Sequence, residues 1–181
     1  MSRVIVFVLI YFFTSLSFYA QWIVQNPSVQ YDGLSSVYFL SKYTGWAAGG
    51  TSIIKTTDGG NTWINQTSAS PEFLRAICFA DSNNGTAVGY MGTILTTTNS
   101  GNTWEFKSTG VFDQLLTGVT FSDKNNGIII SDIGIMYRSI DGGKSWLEHS
   151  YRANNRLYGI SFYNSKIGMA VGNSGAMIKT T

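Results

Sequence analysis

The side chains with the most chemical capacity in this chain are its carboxylates: ten Asp and Glu stand beside twelve Lys and Arg and a single His. Two carboxylates placed across a sugar bond can hydrolyse it, one as acid and the other as base or nucleophile. Asp32, Glu72 and Asp113 are the residues from which such a pair would be drawn, with Asp132 in a similar sequence setting. Arg75, Arg152 and Arg156 are the cations that could hold an anionic group near them. Other chemistry is thin. One His cannot build a zinc site, and His149 reads as a polar position on an outer strand. Cys78 has no base near it in sequence and reads as core filler. "AAGG" and "DGGN" lack the Lys and the strand-to-helix setting of a phosphate loop. No metal and no cofactor is expected.

What could bring those side chains together is a repeat. "TTDGGNTW" at 56–63 returns as "TTNSGNTW" at 97–104 and "SIDGGKSW" at 139–146, so Asp58, Asn99 and Asp141 are 41 and 42 residues apart. The intervening text aligns as well, from Leu34, Leu74 and Leu116, and a fourth copy runs from Leu157 to the last residue. A period of about 40 to 45 residues is that of a four-stranded propeller blade. Within each copy, an alternating apolar segment, a Gly-bounded segment such as "GTAVG", a third such as "TILTTT" and a segment after Trp each read as a short strand. Helical periodicity is absent after the first twenty residues.

The expectation is therefore an all-β chain, a β-propeller of four-stranded blades. Blades are expected at 34–67, 74–108 and 116–150, with a partial blade at 157–181. Ser36, Ala76, Gly118 and Gly159 are small at matching places in the first strand, as crowding around a propeller axis requires. "WIVQN" from Trp22 matches "WINQT" from Trp63, which predicts a lone outer strand at 21–27. Two expectations follow for the ring: a segment of a longer ring of about seven blades, or closure of four blades with 22–26 as the missing strand.

Residues 1–20 carry one Arg, an apolar run from Val4 to Phe13 and then small and polar residues, the pattern of a signal peptide. An uncleaved anchor is the alternative, although the run is shorter than a usual membrane span. Export to the periplasm, cell surface or exterior is expected, with no membrane insertion after cleavage. The formal charge is only +2, which gives little long-range pull toward nucleic acid.

The repeated turn carries a resemblance. Thr56, Asp58, Gly60, Thr62 and Trp63 fit the Asp-box, or BNR, pattern of sialidase-type propellers, as do Ser139, Asp141, Gly143, Ser145 and Trp146. Asn99, Gly101, Thr103 and Trp104 form the second box, which departs by having Asn in place of Asp. The longer unit resembles the propeller family of photosystem II assembly and stability factors. That resemblance implies a non-enzymatic scaffold whose basic patch recognises a segment of a membrane protein. The Asp should accept backbone N–H bonds within the hairpin, Gly should permit positive φ, and Trp should plug the space between blades. Asp32, Glu72, Asp113 and Asp132 fall in connections that share one face in a propeller, with Arg75, Arg152 and Arg156 beside them, and this face is the candidate binding surface. A protein ligand is expected there. A glycan held by Tyr31, Tyr90 and Tyr151, or a glycosidase-like activity, is the alternative.

Overall fold

A computed structural model describes residues 24–25, 33–66, 70, 72–110 and 113–180, with Ser150, Tyr151 and Arg152 described by their backbone only. The leader, Trp22, Tyr31 and Asp32 lie outside the described residues. Fifteen strands form four antiparallel meanders, and no helix longer than one 3-10 turn occurs among the described residues. Blade 1 contains β1 (Ser36–Phe39), β2 (Gly45–Gly49), β3 (Ser52–Thr56) and β4 (Ile64–Gln66). Blade 2 contains β5 (Leu74–Phe79), β6 (Gly85–Gly89), β7 (Thr93–Thr97) and β8 (Glu105–Ser108). Blade 3 contains β9 (Leu116–Phe121), β10 (Gly127–Ser131), β11 (Ile135–Ser139) and β12 (Leu147–Arg152). Blade 4 contains three strands among the described residues, β13 (Leu157–Phe162), β14 (Gly168–Gly172) and β15 (Met177–Lys179). The all-β propeller architecture expected from the repeats is thus present.

Period-two alternation is what stacks the blades, because successive side chains on a strand leave opposite faces of the sheet. In blade 2, Ile77, Ala87 and Leu95 join a core shared with Trp46, Ala48 and Ile53 of blade 1. Their chain neighbours Cys78, Val88 and Ile94 join the next core, with Val119, Ile129 and Tyr137 of blade 3. Ile130 and Met136, each beside a member of that second core, face Leu157 and Ala170 of blade 4. Each blade is therefore apolar on both faces, and a single blade would leave both in water. Burying one Leu or Ile contributes about 1.5–3 kcal/mol, so most of the stability lies between blades.

The boxes fasten each blade from within. Thr56 Oγ1 accepts from the Gly60 N–H at 2.8 Å and donates to Asp58 Oδ1 at 2.8 Å. Asp58 in turn accepts from the Thr62 N–H at 2.9 Å and from the Thr62 hydroxyl at 2.6 Å. Ser139, Asp141, Gly143 and Ser145 repeat all four bonds. In the second box Asn99 Oδ1 still accepts from the Thr103 N–H at 3.0 Å, but its amide now donates to the Thr103 hydroxyl at 2.8 Å. A neutral side chain thus keeps the same two-point grip with one bond reversed. Every box is also tied to the β-turn between the first two strands of its own blade. The bonds run from Gly59 N–H to Tyr43 O, Ser100 N–H to Asn83 O and Gly142 N–H to Asn125 O, at 2.8, 2.9 and 2.9 Å.

Two of the three box tryptophans lie at blade boundaries. Trp104 is buried in the core between blades 1 and 2, edge-on to Phe79 at 5.9 Å. Trp146 packs on the core between blades 2 and 3, 5.8 Å from Phe121. Trp63 is edge-on to Phe39 at 6.1 Å, and its indole N–H points to Gln25 Oε1 at 3.5 Å. Val24 and Gln25 form no strand. Gln25 nonetheless stands beside Gly60 of the first box as Gln66, from β4, stands beside Gly101 of the second.

Candidate functional site

Meander topology puts two kinds of connection on one end of the blades: the linker that enters each first strand and the hairpin between second and third strands. These are pinned to one another by backbone hydrogen bonds. The blade 1 hairpin accepts at Gly50 O from the Leu74 N–H at 2.7 Å. In blade 2, Tyr90 N–H donates to Phe73 O at 2.9 Å, and Gly92 N–H donates to Gln114 O at 3.0 Å. Asp132 N–H of the blade 3 hairpin donates to Leu115 O at 2.9 Å, while the Leu115 N–H returns a bond to Asp132 Oδ1 at 2.9 Å. In blade 4, Asn173 and Arg156 exchange a similar pair of bonds. The approach between β6 and the linker before β5 is close enough to require glycine. A Cβ on Gly89 would stand 2.0 Å from Phe73 O, a backbone atom that no rotamer change could move aside.

These bonds join Phe73, the blade 2 hairpin, residues 114–115 and the blade 3 hairpin into one continuous ledge. Gln114 anchors it from below. Its side chain is buried and donates to Thr109 Oγ1 at 2.7 Å and to Tyr137 OH, on β11, at 2.8 Å. Apolar side chains stand on top: Phe73, Tyr90, Met91 and Ile133 are 52%, 46%, 47% and 47% exposed. Phe73 and Tyr90 meet edge-on, with ring centroids 6.3 Å apart. Met91 sits at φ 56° and ψ 30°, a left-handed conformation that costs a side-chain-bearing residue about 1 kcal/mol. The hairpin therefore holds a large apolar side chain outward at a conformational cost.

The residues singled out by sequence are distributed around this ledge. Glu72 is half-buried next to Phe73, Arg75 is exposed on β5, Asp113 is exposed next to Gln114, and half-buried Asp132 precedes Ile133. Asp132 also has a structural duty through its bond from Leu115. Arg156 is exposed on the blade 4 linker, with its backbone held by Asn173. Arg152 pairs through its backbone with Ile135, and Asp32 is outside the described residues. Tyr90, one of three candidate glycan platforms, stands on the ledge, whereas the Tyr31 and Tyr151 side chains are not described.

Sequence reasoning missed Phe73, Met91, Ile133 and Gln114. Phe73 and Gln114 lie in the linkers between copies, whereas Met91 and Ile133 occupy matching hairpin positions, where the fourth copy has Ser174. Phe73 could have been found from its place directly before the Leu that opens a strand, since a large aromatic there cannot enter the sheet.

The arrangement suits contact recognition. Among the described residues, no group of three or more His, Cys, Asp or Glu is placed to hold a metal ion. Burial pushes the Cys78 thiol up to about 11, against weaker opposing hydrogen bonds from Phe121 and Phe79. It is thus a protonated core side chain at neutral pH.

Comparison with known proteins agrees with the repeat pattern. Residues 69–152 match the model of the family "Photosynthesis system II assembly factor YCF48". The chloroplastic photosystem II stability/assembly factor HCF136 of Oryza sativa subsp. japonica is 36% identical over 66 residues, which are 35% of this chain and 16% of that protein. Among solved structures, YCF48 from Cyanidioschyzon merolae superposes with a TM-score of 0.66 at 24% identity, over 81% of this chain and 50% of that one. The structure of YCF48 bound to D1 peptide gives 0.64 at 21% identity, over 84% and 56%. The chain thus spans about half the length of these solved relatives. Residues 69–152 of this chain thus resemble the photosystem II assembly factor family, and the chain shares the β-propeller fold of the solved YCF48 structures.

Proposed function

We propose that this protein is an exported, non-enzymatic recognition module that binds a segment of another protein across the linker and hairpin face of its propeller. The observation that carries the reading is the ledge. Large apolar side chains are held in water on a backbone fixed by hydrogen bonds from Tyr90 to Phe73, Gly92 to Gln114 and Asp132 to Leu115. A rigid surface with exposed aromatic and Met side chains loses little conformational freedom on binding, the property of interface anchor positions. YCF48, a relative of the same fold, binds a D1 peptide, which supports a polypeptide as the ligand here. The Arg3-led apolar run at the N-terminus supports export.

The test is a peptide array of membrane-protein loops and tails, probed with the purified chain beside a glycan array. Binding to peptides that falls in Phe73→Ala, with an unchanged melting temperature, is the expected result. Signal on glycans alone, or peptide binding indifferent to Phe73, would overturn the proposal. Cell fractionation tests export separately.

A further inference from the structure

The ledge also has a charge, and the charge selects a partner. The described linker and hairpin residues that build it, 72–73, 90–92, 113–115 and 132–134, contain Glu72, Asp113 and Asp132 and no Lys or Arg. Each acid directly precedes a residue of the ledge: Phe73, Gln114 or Ile133. Asp113 is exposed and Glu72 half-buried, so both carboxylates can meet a partner, while Asp132 retains one oxygen beyond the one that accepts from Leu115. The nearest cation in sequence is Arg75, which lies on β5 and belongs to no linker or hairpin. The exposed cations described at this end of the molecule are Arg75, on β5, and Arg156, on the blade 4 linker.

We infer that the Phe73–Tyr90–Met91–Ile133 ledge binds a polypeptide segment whose apolar side chains are flanked by Lys or Arg, the apolar residues seating on the ledge and the cations facing Glu72, Asp113 and Asp132. The inference rests on the protein-recognition reading above and names the partner's chemistry. Apolar contact supplies the affinity, while opposite charge at the margin sets orientation and encounter rate. Met91 suits such a site, because an unbranched thioether adapts its shape to different apolar side chains. The left-handed backbone that presents it is that of the same hairpin in blades 1 and 4, where Gly50 and Ser174 both have φ 52°.

The experiment uses three fluorescein-labelled peptides with one shared Leu-Phe-Leu centre, flanked by lysines, by glutamates or by serines, titrated by anisotropy. The lysine-flanked peptide is expected to bind best, to weaken as salt is raised, and to lose about tenfold in affinity in Glu72→Gln/Asp113→Asn. Phe73→Ala should weaken the lysine- and serine-flanked peptides alike, since it removes only apolar contact. Melting temperatures of both variants should match the parent, because neither change removes a buried group. Preference for the glutamate-flanked peptide, with loss in Arg75→Gln and none in the acid variant, overturns this inference and leaves the protein-recognition reading standing. No discrimination among the three peptides, or no binding of any, overturns it as well. The peptide array of natural segments then decides the broader reading independently.

Discussion

The indole of Trp46 in blade 1 lies flat on the ring of Phe79 in blade 2, with centroids 3.7 Å apart and planes 21° apart. Trp46 is fully buried, and its N–H donates to Ser100 O in the blade 2 box at 3.3 Å. Phe79 is also met edge-on by Trp104, so three rings from two blades share one core. Trp46→Ala should therefore cost about 3–5 kcal/mol by chemical denaturation, and Trp104→Ala a similar amount. Because all three rings touch one cluster, the double variant should lose less than the two single losses added together. Full additivity would show that the indoles act in separate cores.

A second bond system crosses the same boundary. Ser100 adopts φ 63°, where the other two boxes have Gly59 at 77° and Gly142 at 76°. Lys55 of β3 reaches over from blade 1 and donates to Ser100 O at 2.9 Å and Ser100 Oγ at 3.1 Å. The cation thus holds the one box that lacks glycine at this turn. Lys55→Met keeps the aliphatic stem and removes both bonds, and should lower unfolding free energy by about 1–2 kcal/mol. Burial lowers the pKa of Lys55, so the amine's desolvation opposes these bonds and sets the upper limit of the loss.

Acid should act on the boxes unequally. The Asp58 carboxyl is held down from 3.8 to about 2, first by the Thr62 hydroxyl, then by the Thr62 N–H and the Thr56 hydroxyl. At Asp141 burial pushes upward, but bonds from Ser145 and Ser139 outweigh it and the pKa is lowered. A carboxyl depressed by folding stabilises the native state above its unfolded value and loses that contribution as pH falls through its folded value. For Asp58 the window is pH 3.8 down to about 2. Asn99 does not titrate, so Asp58→Asn should flatten the fall in melting temperature across that window. A variant that declines as steeply as the parent would place the acid sensitivity elsewhere.

The hairpin at Met91 allows stability and binding to be separated. Met91→Gly removes the left-handed penalty, offset in part by the greater freedom of glycine in the unfolded chain, and should stabilise by about 0.5 kcal/mol. The same change deletes a ledge side chain and should weaken the lysine-flanked peptide. Thermal melts and anisotropy on one preparation check both. By contrast, Gly89→Ala drives a Cβ against Phe73 O and should destabilise by about 2–4 kcal/mol.

The blades were legible in the sequence because their physics is periodic. Two-residue alternation recurs in each copy, and the box repeats Ser or Thr, Gly and Trp at fixed spacing. Even the small residues at Ser36, Ala76, Gly118 and Gly159 fall on the innermost strands. Trp46 escaped notice because Thr86, Ile128 and Met169 take its place in the other blades, so no repeat points to it. Glu72, Asp113 and Asp132 lie on linkers and hairpins, where their places relative to the repeat put them. The bond from Leu115 to Asp132 and the ledge behind Gln114 arise from contacts between segments of unrelated sequence, which no reading of one copy at a time could supply.

One feature of the boxes reaches past this molecule. Since the bonds at Thr56, Asp58, Gly60 and Thr62, and the tie from Gly59 to Tyr43, all close inside blade 1, a gene segment encoding such a unit carries its own fastening wherever it is copied. Tandem duplication can then lengthen the array without a matching change next door, and only apolar complementarity must be inherited along with it.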